Sequence, residues 1–182
     1  MAEKTSKGIE EKRGGRRGPE NVWGSGATGT ICAACYAISN LTPGRTFLGL
    51  TPYLWTVGLV SSFATKLADT SASEIGKGYG KTTISIVNLR RVEPGTEGAV
   101  SLEGTAASIV GGVLLASFAK LYGLLNTWSH VGIVGAAAFA ATMFESWLGA
   151  TWQGGWLTNE VVNFINTAVG AALAVAGVLR FK

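Results

Sequence analysis

Three stretches of the 182-residue chain gather ionisable and polar residues where an apolar run meets a polar one, and such residues beside a membrane helix are candidates for function. The first, residues 66–82, holds Lys66, Asp69, Ser73, Glu74, Gly76, Lys77, Gly80 and Lys81. If a helix persists through it, Asp69, Ser73 and Gly76 share one face by their i, i+4, i+7 spacing, while Glu74 points well away. Asp69 and Glu74 can then hold one metal ion together only where the helix unwinds near Ser73, which the closely spaced glycines permit. Residues 76–82 look superficially like a nucleotide-hydrolase phosphate loop, but Ile75 stands where that motif needs its first Gly, and an apolar helix stands where it needs a strand. A weaker chemistry survives: Gly-rich backbone presents N–H groups to an anion, and Lys77 and Lys81 add positive charge. A glycine-terminated helix end with snorkelling lysines accounts for the same residues without a ligand.

The second stretch runs from Arg90 and Arg91 through a Pro94-Gly95 turn to Thr96, Gly98, Ser101 and Gly104. Backbone and hydroxyl donors beside a helix amino terminus favour phosphate, because the macrodipole is positive there. A plain turn followed by an N-cap explains them equally well. The third stretch is divided: Glu145 and Ser146 close one apolar run, and Asn159, Glu160, Asn163 and Asn166 open the next. Asn159, Asn163, Asn166 and Gly170 fall on one helical stripe, fit either to line a polar site or to hydrogen-bond between helices.

The elements that must position these residues are membrane helices. Apolar residues make up 47% of the chain and charged ones 14%, and 26 glycines add small packing surfaces. Crossing a hydrocarbon core of about 30 Å takes about 20 apolar residues of helix. Residues 21–44, 46–65, 121–144 and 161–179 carry no Asp, Glu, Lys or Arg, and 104–119 extends through Lys120 to Leu125. A soluble bundle would need charged stripes at helical period, which the last two runs lack. The chain is therefore expected to be an all-α, polytopic transmembrane bundle of about five spans (residues 21–182). A basic, flexible tail (residues 1–20) precedes it, and one long polar loop (residues 66–103) interrupts it. The basic clusters in the tail and in the loop are two spans apart, so both fall on the cytosolic or stromal side by the positive-inside rule, with Arg180 and Lys182 opposite. Cys32 and Cys35 form C-x-x-C inside an apolar run without further ligands, and read as buried small residues. His130 reads as an interfacial side chain.

Four ordered motifs carry a resemblance over most of the chain. Asp69-Thr-Ser-Ala-Ser-Glu74-Ile-Gly76, Val92-Glu-Pro-Gly95-Thr96-Glu97-Gly98-Ala-Val-Ser101-Leu-Glu-Gly104-Thr105, Glu145-Ser146-Trp-Leu-Gly149-Ala150-Thr151-Trp-Gln153 and Asn159-Glu160-Val-Val-Asn163-Phe resemble an integral membrane family. Its characterised plant and cyanobacterial members are phytyl-phosphate kinases of vitamin E synthesis. The spacing of Asp69, Ala72, Gly76, Gly80 and Lys81 is more loosely similar to CTP-dependent polyprenol kinases. The position of Glu145 is often aspartate in the family, which keeps the charge on a shorter side chain.

The resemblance implies transfer of a phosphoryl group from CTP or another nucleoside triphosphate, with Mg²⁺, to phytyl monophosphate at a membrane surface. On that basis Asp69 and Glu74 are expected to hold Mg²⁺. Gly76, Lys77, Gly80 and Lys81 with Gly95, Thr96, Gly98 and Ser101 are expected to hold nucleotide phosphates. Glu145 with Asn159 and Asn163 is expected to orient the lipid phosphate or a second metal. The implied partners are the bilayer, a prenyl monophosphate and the nucleotide, with no nucleic acid. The implied location is a chloroplast envelope or thylakoid membrane in a plant or alga, or a plasma or thylakoid membrane in a cyanobacterium. A farnesyl- or geranylgeranyl-phosphate kinase would carry the same residues, and a non-catalytic membrane protein or transporter could use them as gates.

Overall fold

The computed structural model describes residues 18–152 and 157–181. Most of the basic tail lies outside the described residues, as does Gln153. Five long helices carry the fold: α1 (Glu20–Leu41), α2 (Pro52–Tyr79), α3 (Leu102–Leu121), α4 (Trp128–Trp152) and α5 (Asn159–Arg180). Their starts follow local rules. Pro52 opens α2, where its missing N–H costs nothing, and the Ser101 and Thr158 hydroxyls accept from the Gly104 and Val161 amides to cap α3 and α5.

Successive helices alternate in direction. Gly76 of α2 lies against Gly104 of α3 and Gly111 against Ser71, while Gly170 of α5 meets Thr65. α2 packs against each of the other four helices and is the axis of the bundle. The core is built of small and β-branched residues, among them Val57, Ala64, Ala68, Ala116, Val134, Ala138, Ala174 and Val178. Hydrogen bonds cross between helices at Ser61, which donates to the Gly170 carbonyl (2.8 Å), and between the Thr28 and Thr167 hydroxyls (2.9 Å). Such small and hydroxylated contacts are how helices associate where no water drives them together.

By length and composition α3, α4 and α5 are apolar enough to cross a membrane. α1 and α2 are long enough but more polar, and in α2 the polar residues point inward: Ser61, Ser62, Thr65 and Asp69 are all buried. A central helix shielded by its neighbours needs no uniformly apolar surface. The second helix departs most from expectation, because it continues through residue 79 and the long polar connection begins at Gly80 rather than at residue 66. At about 1.5 Å per residue, the 28 residues of α2 reach about 42 Å, so its last turns extend past a hydrocarbon core of about 30 Å.

The connection from Gly80 to Ser101 is folded. Strands β1 (Thr83–Ser85) and β2 (Ala99–Ser101) pair antiparallel, with Thr83 opposite Ser101 and Ser85 opposite Ala99. Gly98 ties the connection to α4. Its φ is +70°, and a Cβ there would lie 2.2 Å from the Ala150 Cβ and 2.7 Å from the Ser146 carbonyl. At the opposite end of the bundle the Tyr53 hydroxyl meets His130 Nδ1 at 2.5 Å and accepts from the Asn126 amide at 3.1 Å, joining the starts of α2 and α4. Cys32 and Cys35 are free and buried.

Candidate functional site

A cleft of about 560 Å³ opens at one end of the bundle. The alternating topology decides what reaches it: α1, α3 and α5 begin there, and α2 and α4 end there. Three helix amino termini thus face one space, through Glu20 and Asn21, through Ser101 and Gly104, and through Asn159 and Glu160. The β1–β2 connection closes it from outside with Thr83 and residues 94–101. Convergent helix starts favour anions.

Ten of the thirteen residues to which the resemblance assigns a role line this cleft: Asp69, Gly76, Lys77, Gly95, Thr96, Gly98, Ser101, Glu145, Asn159 and Asn163. Four segments far apart in the chain converge here. Glu74, Gly80 and Lys81 do not line it. α2 stays helical through Ser73, so Glu74 follows Asp69 by five residues and about 140° around the axis. The unwinding that a shared Asp69–Glu74 metal site requires is absent. Gly80 instead packs on the Gly76 carbonyl and the Ser101 side chain, and Lys81 is exposed on the outer connection.

The carboxylate that neighbours Asp69 is Glu145, seven residues before the end of α4. Both line the cleft, and the charges of Asp69, Lys66 and Glu97 act on Glu145. Among the described residues, no group of three or more His, Cys, Asp or Glu side chains is arranged to hold a metal ion. Mg²⁺ bound with a nucleotide asks for less: it takes one or two carboxylates and completes an octahedron with phosphate and water oxygens. The Asp69–Glu145 pair fits that demand, and the Asp69–Glu74 pair does not.

Lys66, which opens the first of the three stretches but has no role in the implied site, also lines the cleft. Its ammonium lies 2.8 Å from Asp69 Oδ2 and donates to Asn163 Oδ1 as well. Asn163 is buried, and its Nδ2 donates to the Asn159 carbonyl at 2.9 Å, so its orientation is held from both sides. The available signal was the i, i+3 spacing of Lys66 and Asp69 at the end of an apolar run.

In the connection, the Thr96 amide and hydroxyl both donate to the Glu93 carbonyl (3.1 and 2.8 Å), which shapes the turn. The Ser101 hydroxyl accepts from the Gly104 amide and keeps its own hydrogen for another acceptor.

Residues 1–171 match the family described as integral membrane protein DUF92. The chain is 51% identical over 177 residues to an uncharacterised membrane protein of Synechocystis, covering 95% of this chain and 64% of that protein. It is 41% identical over 181 residues to the chloroplastic protein VTE6 of Arabidopsis thaliana, covering 96% of this chain and 52% of that one. An uncharacterised membrane protein of Methanocaldococcus jannaschii is 34% identical over 120 residues, 65% of this chain and 50% of its own length. The chain thus spans between half and two thirds of the length of these relatives. No solved structure matches it.

Proposed function

The chain belongs to the DUF92 integral membrane family, and from that premise we propose that it is a membrane-bound kinase converting phytyl monophosphate to phytyl diphosphate with CTP or another nucleoside triphosphate. The observation that carries this reading is the cleft itself: a phosphate-favouring chamber with carboxylates, lysines and three helix amino termini, built at the end of an apolar bundle. A prenyl phosphate has matching halves. Its tail needs apolar surface at membrane depth, and its phosphate needs charged donors at the boundary. The similarity to the chloroplastic relative and the four motifs shared with phytyl-phosphate kinases support the same class of substrate.

The chemistry asks little of a protein nucleophile. An oxygen of the acceptor phosphate attacks the γ-phosphorus, the bond to the β,γ-bridging oxygen breaks, and the nucleoside diphosphate leaves with that electron pair. Catalysis of such a step rests on alignment and charge neutralisation. The acceptor is already ionised, so no general base is required. Lys77, the 95–98 turn through amides other than that of Thr96, and the start of α3 hold the nucleotide's phosphates. Asp69 and Glu145 are the residues that would hold Mg²⁺, which would supply neutralisation of phosphate charge when bound with the nucleotide.

The test is made on purified protein in detergent, offered a panel of prenyl monophosphates and nucleoside triphosphates. Diphosphate formation, with a preference among tails, is expected. A transporter or scaffold has no reason to bind a nucleotide with Mg²⁺, so failure to bind any nucleotide would remove the kinase reading.

A further inference from the structure

We infer that Lys66, held by Asn163, is the residue that grips the phosphate of the lipid substrate at the floor of the cleft, and that Asn163 positions it without touching that phosphate. This rests on the kinase reading above and assigns one half of its site.

Asn163 has one group to offer a phosphate. A carboxamide binds phosphate through its N–H₂ group, and here that group is turned to the Asn159 carbonyl while Oδ1 faces Lys66. The orientation is set by chemistry, since an ammonium can only donate and must meet the oxygen. An acceptor oxygen pointing to that side repels a phosphate oxygen. The cation behind it does the opposite.

Charge and depth single out Lys66 further. Among the described residues lining the cleft, Lys66 and Lys77 are the cations. They lie eleven residues apart on one continuous helix, about 16 Å along its axis. Lys77 belongs to the outer turns that extend past the apolar part of the bundle. Lys66 directly follows Thr65, which packs against Gly170 in the middle of α5. The two lysines therefore stem from different levels of the cleft, Lys77 from the outer turns and Lys66 from beside Thr65, with the Lys66 ammonium at the level of Asp69 and Asn163.

The Lys66 side chain is only 16% exposed. As pure structure, a mostly buried lysine–aspartate pair is a poor investment, because apolar residues in its place are often neutral or stabilising. Asp69 and Glu145 both line the cleft, so the ammonium holds a carboxylate that belongs to the site itself. A doubly charged phosphate arriving beside it completes the lysine's donors, and Asn163 keeps it aimed.

The experiment measures equilibrium binding of farnesyl monophosphate, farnesol and CTP·Mg²⁺ separately to detergent-purified protein. Lys66→Met is expected to weaken farnesyl monophosphate about 10- to 100-fold, the loss of one charge-assisted hydrogen bond, with CTP affinity changed less than threefold. Farnesol binding should not change, and Lys66→Arg should recover most of the loss. If Lys66→Met does not fold, the Lys66→Met/Asp69→Asn pair removes both charges. Restored folding with farnesyl monophosphate still weak supports the assignment, whereas restored farnesyl monophosphate binding means Lys66 only neutralises Asp69 and overturns it. A larger loss for CTP than for farnesyl monophosphate also overturns it, with the kinase reading intact. Wild-type protein that binds farnesyl monophosphate but no nucleotide sinks the kinase reading and leaves Lys66 standing; binding of neither sinks both.

Discussion

Asp69 stands where three roles meet: it pairs with Lys66, faces Glu145 and lines the cleft. Asp69→Asn keeps its shape and removes its charge, so phosphoryl transfer should fall by at least 100-fold while the protein still purifies as a folded species with unchanged circular dichroism. If Asp69 only anchors Lys66, the outcome differs: expression is lost and returns when Lys66 is neutralised too. The two lysines of the glycine-rich stretch should also separate. Lys77 lines the cleft and Lys81 does not, so Lys77→Ala should raise the apparent KM for nucleotide about tenfold and Lys81→Ala should change it less than twofold. Equal effects would mean that the connection moves when nucleotide binds. At this scale the residue types were readable but their directions were not. Asp69 and Gly76 followed from helical spacing, whereas the meeting of Asp69 with Glu145 joins residues 76 positions apart, and the turn of Asn163 toward Lys66 depends on a neighbouring helix.

The helices were legible wherever apolar runs ended at a turn residue: α1, α3 and α5 begin and end within a few residues of the runs that foretell them. α2 was not, because polar composition and closely spaced glycines read as the end of a helix. Tertiary packing overrides that propensity, since α3 comes close enough that a Cβ on Gly104 would lie 2.8 Å from the Ala72 carbonyl and 3.2 Å from Gly76 Cα. The connection was readable as a Pro-Gly turn, but its pairing as a hairpin over the cleft was not. Its attachment can be tested at one atom. Gly98→Ala puts a methyl into Ala150 at a positive φ, and should destabilise the protein by about 1–3 kcal/mol or detach the connection, seen as a lower detergent melting temperature and loss of turnover. Gly132→Ala in α4 is the matched control. Nothing lies within 4 Å of its added methyl, and about 0.5–1 kcal/mol of helix propensity should be gained.

Across the whole molecule, the alternation of five helices puts the cleft-lining segments at one end and leaves Tyr53, Asn126 and His130 at the other. Single cysteines introduced at Arg90 and at Asn126 should therefore react with an impermeant reagent from opposite faces of sealed vesicles. Labelling from one face would break the alternation on which the cleft depends. This end of the bundle is proposed to move a phosphoryl group onto a lipid phosphate. The most direct measurement follows γ-³²P from CTP, or from another nucleoside triphosphate, in the presence of Mg²⁺ and phytyl monophosphate, with protein reconstituted in nanodiscs. Label is expected in phytyl diphosphate and is expected to be lost in Asp69→Asn. Label that stays in the nucleotide or appears only as free phosphate, with folded wild-type protein and every nucleotide tried, would contradict this proposal.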